Sequence, residues 1–149
     1  MEELTLLLQK ARAIAEEAHR GQVDKGGKPY VQHPVRVAEN CCTPEAKVAA
    51  LLHDTIEDGG VTAGYLREQG FPDCIVEAVV ALTRREGEEY EDYVRRAAAN
   101  PIAHEVKLAD LEDNMDLSRI PHPRQRDLDR MERYRRAWQY LNGVDGKQP

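Results

Sequence analysis

The run His53-Asp54-Thr55-Ile56-Glu57-Asp58 follows directly on the apolar stretch Val48-Ala49-Ala50-Leu51-Leu52. At about 100° per residue, positions 53, 54, 57 and 58 fall within an arc of about 140°. A single helix can therefore turn four metal-capable or proton-transferring groups toward one cavity, while Val48, Ala49, Leu51, Leu52 and Ile56 pack it into a core. Gly59-Gly60 is the expected helix stop. This constrains the fold strongly, because buried carboxylates without a partner are costly and otherwise take up protons.

A divalent cation supplies the compensation, and two further ligands are then needed. His33, in Lys28-Pro29-Tyr30-Val31-Gln32-His33-Pro34, is the first candidate, with Pro34 suited to a first helical position. Asp110 is the second; on a helical wheel it lies between Val106 and Asn114, on the side of Leu117. His33, His53, Asp54 and Asp110 give two neutral imidazoles and two carboxylates, which balance a 2+ ion and leave positions for water and substrate. Nitrogen and oxygen ligands without cysteine favour Mn²⁺ or Fe²⁺, with Zn²⁺, Co²⁺ and Ni²⁺ as alternatives. An isolated His-Asp pair is common, and Asp110 alone could be a buried partner of Lys107 or Arg119; the four residues together are far more specific. Glu57 stands one turn after His53 and Asp58 one turn after Asp54, where a carboxylate can orient a water and accept its proton. Two acids before a helix C-terminus oppose the macrodipole, so they are poorly explained as stabilising choices. Which of the two is the base stays open, since neighbouring carboxylates titrate as a pair.

Helical periodicity and stop signals predict helices over about 2–20, 34–41, 44–58, 63–69, 72–83, 88–99, 101–117 and 123–142, with no competing strand pattern. The expectation is one all-α domain over residues 1–143 and a flexible tail over 144–149. Thr43-Pro44, Thr62 and Asn100-Pro101 read as helix starts. The loop from Gly21 to Gln32 covers part of the site, and the Arg85-Glu86-Gly87-Glu88 turn forms a second rim. The last helix, with Leu128, Met131, Tyr134, Arg135, Trp138 and Leu141 at helical spacing, closes the core or forms a dimer interface, so monomer and homodimer both stay open.

A net charge of −6 argues against a general nucleic-acid binder and for a small-molecule substrate. Arg84-Arg85 and the basic residues of the last helix alternate with acids and read as solvated faces. No apolar run approaches the ~20 residues of a membrane span, and the amphipathic start is not a signal peptide, so the expected location is cytoplasmic. Cys41, Cys42 and Cys74 form no metal or disulfide framework and are expected to be reduced. His19, His104 and His122 are expected in structural or exposed roles.

Four segments carry a family resemblance: Ala18-His19-Arg20-Gly21-Gln22, Pro29-Tyr30-Val31-Gln32-His33-Pro34-Val35-Arg36-Val37-Ala38, His53-Asp54-Thr55-Ile56-Glu57-Asp58, and Val106-Lys107-Leu108-Ala109-Asp110 with Asn114-Met115. From about residue 10 to about residue 120 the chain resembles the HD-domain phosphohydrolases, and within them the hydrolase domain of Rel/Spo-type stringent-response enzymes and the stand-alone small alarmone hydrolases. The resemblance implies a compact HD-domain fold of about eight helices. It also implies metal-dependent hydrolysis of the 3′-pyrophosphate of ppGpp and pppGpp to GDP or GTP and pyrophosphate. At 149 residues there is no room for the synthetase and regulatory domains of the long Rel/Spo enzymes, so alarmone synthesis is not expected. It assigns the catalytic step to Glu57 and Asp58 and a hydrogen bond to ribose or phosphate to Asn114. Lys107 would neutralise phosphate charge or pair with Asp110. Lys25 and Tyr30, beside His33, would contact the substrate. Two positions depart from the family pattern: Asp24 stands where an arginine commonly helps hold guanine, and Leu117 where threonine is frequent. Aspartate accepts hydrogen bonds from guanine but offers no planar cation for stacking. NADPH or a nucleoside phosphate is therefore the alternative substrate, and a non-catalytic nucleotide sensor the alternative class.

Overall fold

The structure, a computed structural model, describes residues 2–143. The tail expected over 144–149 lies outside the described residues. Nine α-helices are present among them: α1 (Glu2–Ala18), α2 (Gln32–Glu39), α3 (Pro44–Leu52), α4 (Thr55–Gly59), α5 (Ala63–Glu68), α6 (Asp73–Ala81), α7 (Tyr90–Ala98), α8 (Pro101–Asn114) and α9 (Gln125–Leu141). A 3₁₀ turn covers Leu117–Arg119, and the only strand-like feature among the described residues is an isolated bridge between Val23 and Pro29. The all-α expectation holds, and each of the eight expected helices is found, one of them divided in two.

Helix α3 is the centre of the fold. Ala46, Val48, Ala49, Ala50, Leu51 and Leu52 are buried on it, and it packs against α1, α2, α6 and α8. Small alanines on three sides let those neighbours approach closely, whereas Leu52, Val48 and the facing Ile75, Val76 and Val79 fill the volume between. Thr43 caps the start, its hydroxyl accepting from the Ala46 amide at 3.3 Å with Pro44 following, and Asn100-Pro101 does the same for α8. A second cluster of Tyr93, Val94, Leu111, Ala137 and Leu141 joins α7, α8 and α9. Helix α8 thus contributes to both clusters. Of the apolar stripe expected on α9, Leu141 is buried and Tyr134 and Trp138 pack against the second cluster, but Leu128 remains 46% exposed.

The sequence predicts one helix over 44–58; the chain instead breaks at His53-Asp54. Asp54 adopts φ −104° and ψ 0°, and the helix resumes at Thr55. Side chains take over the carbonyls at the break: the His53 ring Nδ1 lies 2.6 Å from the Ala50 carbonyl oxygen, and the Thr55 hydroxyl donates to the Leu52 carbonyl at 2.8 Å. Such local bonds compete with the regular ladder. Helix α2 starts two residues earlier than expected, which buries His33 in its first turn rather than leaving it at the entrance. Helix α8 ends at Asn114 rather than 117, so Leu117 falls in the 3₁₀ turn and off the α8 wheel.

Gly59 and Gly60 have different jobs. Gly60 terminates α4 in the left-handed region, at φ 72°. Gly59 lies against α1, where an added Cβ would come 2.5 Å from the Ala18 Cβ and 3.3 Å from its Cα. Gly59→Ala is therefore expected to destabilise by about 1–3 kcal/mol, read as a lowered midpoint in urea unfolding; an unchanged midpoint would show that α4 is free to move off α1.

Candidate metal centre and its cavity

Three elements bring four side chains to one buried point: the first turn of α2 with His33, the break after α3 with His53 and Asp54, and the middle of α8 with Asp110. Potential ligand atoms of His33, His53 and Asp54 all lie within 4.8 Å of one another. Asp110 Oδ1 lies 2.9 Å from His33 Nε2 and 3.3 Å from His53 Nε2, while Asp54 Oδ2 lies 3.1 Å from His53 Nε2. Both imidazoles and Asp110 are buried, and Asp54 is nearly so.

The imidazoles are oriented from behind. A carbonyl can only accept, so the His53 Nδ1–H donates to the Ala50 oxygen and Nε2 faces the cluster, where the neutral ring presents its lone pair. That Nε2 is buried and makes no well-aligned hydrogen bond despite its two carboxylate neighbours. His33 Nδ1 lies 2.6 Å from Asp113 Oδ2, and Asp113 is clamped by Arg36 at 2.8 and 3.0 Å and by Arg119 at 2.5 Å. Carboxylate–histidine pairs of this kind fix ring tautomer and orientation around metals. The orphaned His53 nitrogen and the two-imidazole, two-carboxylate donor set fit a divalent cation, which His33, His53, Asp54 and Asp110 could hold. Further groups steady the carboxylates: the Tyr30 hydroxyl donates to Asp54 at 2.6 Å, and Asn114 and Lys107 bind the two oxygens of Asp110 at 3.1 and 3.0 Å.

Asp54, Glu57 and Asp58 also bring carboxylate oxygens within 4.8 Å of one another, so the two acids expected beside the metal lie at its mouth. Glu57 accepts from the Arg84 backbone amide at 3.1 Å. The carbonyl of Asp58 accepts from Gln22 at 3.1 Å, and Gln22 also meets the ring of buried His19 at 2.9 Å, which fastens the end of α4 to the end of α1. Burial, and the negative charge of Asp54, push the pKa of both Glu57 and Asp58 upward. Together with Tyr30, His33, Lys107, Asn114, Tyr134 and others they line a cavity of about 220 Å³. Lys25 is not among these residues. It pairs with Asp127 at 3.4 Å and lines an adjoining cavity of about 370 Å³, which shares Tyr30, His33, Asn114 and Tyr134 with the first. Asp24 lines the adjoining cavity too, but one of its carboxylate oxygens accepts from the amides of Gly26 and Lys28 and so shapes the loop; Leu117 lines neither cavity.

Several residues of the site were not singled out from sequence. Asp113 lies one turn after Asp110, a spacing that marks it as a neighbour, but its partners His33 and Arg36 are distant in the chain. Arg84 and Arg133, which the sequence places on solvated faces, line the smaller cavity with Tyr90. No local pattern distinguishes them from their exposed neighbours.

Electrostatics give a pH signature. Burial lowers the pKa of each imidazole, but hydrogen bonds to Asp110 and Asp113 outweigh it at His33, and the nearby carboxylates of Asp54 and Asp110 outweigh it at His53, so both end above their ordinary value. Burial would raise Asp54, yet the charge and hydrogen bond of His53 hold it at about 2. A raised folded-state pKa contributes stability that is complete below the unfolded value of about 6.5 and is lost as pH rises through the folded value. The metal-stripped protein is therefore expected to lose melting temperature as pH is raised above about 6.5, and a divalent cation, which displaces those protons, to restore more of it at higher pH. Thermal melts across pH with chelator and with Mn²⁺ read this directly; metal stabilisation independent of pH would contradict it.

Comparison with known proteins agrees with the geometry. The HD domain family model matches residues 11–113, which takes in all four clustered residues. A guanosine-3′,5′-bis(diphosphate) 3′-pyrophosphohydrolase of Aquifex aeolicus is 32% identical over 120 residues, covering 72% of this chain and 17% of the relative. The bifunctional (p)ppGpp synthase/hydrolase SpoT of Escherichia coli is 36% identical over 99 residues, 62% of this chain and 14% of the relative. The chain thus spans less than a fifth of the length of these relatives. The solved structure of a metazoan ortholog of SpoT that hydrolyses ppGpp superposes with a TM-score of 0.74 at 23% identity, covering 95% of this chain and 87% of that one, and so shares the fold. On the match over residues 11–113 and the site built within it, the chain belongs to the HD domain family.

Proposed function

We propose that this chain is a metal-dependent hydrolase that removes the 3′-pyrophosphate of (p)ppGpp, giving GDP or GTP and pyrophosphate. The observation that carries the proposal is the juxtaposition of two buried histidines and two carboxylates with Glu57 and Asp58 at the mouth of one cavity. The names of the similar proteins supply the substrate class.

In this reading His33, His53, Asp54 and Asp110 hold one divalent cation, Mn²⁺ first. When bound, the cation supplies positive charge and Lewis acidity at the scissile phosphorus. Glu57 and Asp58, at the solvent-facing edge of Asp54, orient the attacking water and take its proton; their raised pKa values bring them toward the strength of a useful base near neutral pH. The Arg84 amide fixes the Glu57 carboxylate, and the Gln22 bond holds the end of α4 that carries Asp58. The bond to the ribose 3′ oxygen breaks as the new P–O bond forms, and that oxygen leaves with a proton. Asn114, between the two cavities, donates to a phosphate or ribose oxygen, and Tyr30 lines both sides. The nucleoside occupies the adjoining cavity, which Lys25 and Arg36 help to line. No helix among the described residues is long and apolar enough to cross a membrane, and a freely diffusing nucleotide substrate places the proposed activity in the cytoplasm.

Product-resolved turnover tests this. Wild type with Mn²⁺ is expected to release GDP and intact pyrophosphate from ppGpp, and chelator or Asp54→Ala to abolish it. Glu57→Gln is expected to keep Mn²⁺ binding and lower kcat by about 10²–10⁴. Inertness toward ppGpp alongside turnover of NADPH or a nucleoside phosphate would replace the guanosine substrate, and binding without turnover of any nucleotide would replace the enzyme with a sensor.

A further inference from the structure

Arg84, Tyr90, Lys107 and Arg133 line the smaller cavity together with Glu57 and Asp58, the Arg84 backbone amide touching the Glu57 carboxylate, and the polar groups of these four residues are only partly satisfied among the described residues. The Tyr90 hydroxyl is buried and has no hydrogen-bond partner among the described residues. Buried polar groups are nearly always paired, so an orphan inside a cavity marks a place for a ligand or water. Two guanidinium groups lie over the same ring, Arg133 at 4.6 Å and Arg84 at 5.8 Å from its centroid. The Arg84 guanidinium donates to the Glu88 carbonyl at 3.0 Å and, among the described residues, forms no ion pair with a carboxylate.

Arg133 makes no hydrogen bond or ion pair among the described residues, although α9 is rich in acids. Its neighbours on the helix are all paired: Arg130 with Asp127, and Arg135 and Arg136 with Glu132. Lys107, by contrast, is already held by Asp110 at 3.0 Å and by the Tyr93 hydroxyl. Two planar cations with no carboxylate partner among the described residues and a free hydroxyl donor thus line the same cavity as Asp54, Glu57 and Asp58. Guanidinium forks match phosphate oxygens, and a phenol adds one further donor.

We propose that Arg84, Tyr90 and Arg133 form a receptor for the terminal phosphate of a pyrophosphate group, the phosphate that is not attacked. The proposal rests on the reading of this cavity as a pyrophosphohydrolase site, and it deepens that reading by naming how a diphosphate is told from a monophosphate. The inner phosphate would lie beside Asp54, Glu57 and Asp58, and its outer neighbour would reach the arginines and the Tyr90 hydroxyl. A monophosphate ester would leave these donors unpaired and be bound less well.

Product binding separates this subsite from the activity. Titration calorimetry of the Mn²⁺-loaded full chain with inorganic pyrophosphate and with orthophosphate compares wild type, Arg133→Gln and Tyr90→Phe. Arg133 is exposed and Tyr90→Phe removes only an oxygen, so both variants are expected to fold and to bind Mn²⁺ as wild type does. The expected result is tighter binding of pyrophosphate than of orthophosphate by wild type. Each variant should then lose about tenfold or more in pyrophosphate affinity, with orthophosphate affinity changed by less than about twofold, in line with a lost charge-assisted bond. That pattern supports the receptor even if ppGpp is not turned over, in which case the proposed substrate alone fails. Unchanged pyrophosphate affinity, or equal losses for both anions, overturns the receptor even if ppGpp is hydrolysed.

Discussion

Concentrated negative charge inside the helical core is the constraint on which this structure turns. Asp54, Asp110 and Asp113 approach two buried imidazoles at 2.6–3.3 Å, and each carboxylate is further tied by a neutral or cationic donor. Without those partners each buried carboxylate would cost several kcal/mol. The fold meets the demand from all sides: Tyr30 from the loop before α2, Lys107 and Asn114 from α8, Arg36 from α2 and Arg119 from the 3₁₀ turn. The residues that stabilise the apo charge cluster are also those that aim its ligand atoms, so stability and preorganisation have the same source.

The break at His53-Asp54 makes this arrangement possible. In an unbroken helix the two acids of α4 would continue along the axis of α3, deep in the core. The interruption lets α3 stay buried while α4 turns along α1, held by Gly59 against Ala18 and by the Gln22 bridge to Asp58. The result is a cavity with a buried, hydrogen-bonded floor and a mouth of partly exposed carboxylates, a division that suits binding at one level and proton transfer at the next.

Much of this was legible in the sequence. Thr43-Pro44, Thr62 and Asn100-Pro101 announce helix starts through their own side chains, and apolar periodicity identifies α3 and α8 as central. The convergence of His33, His53, Asp54 and Asp110 was argued from a charge-compensation requirement, which is a property of residue types and survives errors in helix boundaries. The helix break was not legible, because it depends on side chain to carbonyl bonds of His53 and Thr55 that compete with regular helix by small margins. Nor was the clamp of Asp113 by Arg36 and Arg119, since long-range partners leave no periodic trace. Arg84 and Arg133 were read as solvated faces for the same reason, and Lys25, placed beside His33 by sequence proximity, is drawn to Asp127 instead.

The central claim is that His33, His53, Asp54 and Asp110 together form one preorganised cation site. Anomalous diffraction from crystals grown with Mn²⁺ tests it most directly. The account predicts one strong peak per chain, at bonding distance of about 2.0–2.3 Å from all four side chains. A peak held instead by Asp54, Glu57 and Asp58 at the mouth, or no peak at saturating Mn²⁺, would contradict it.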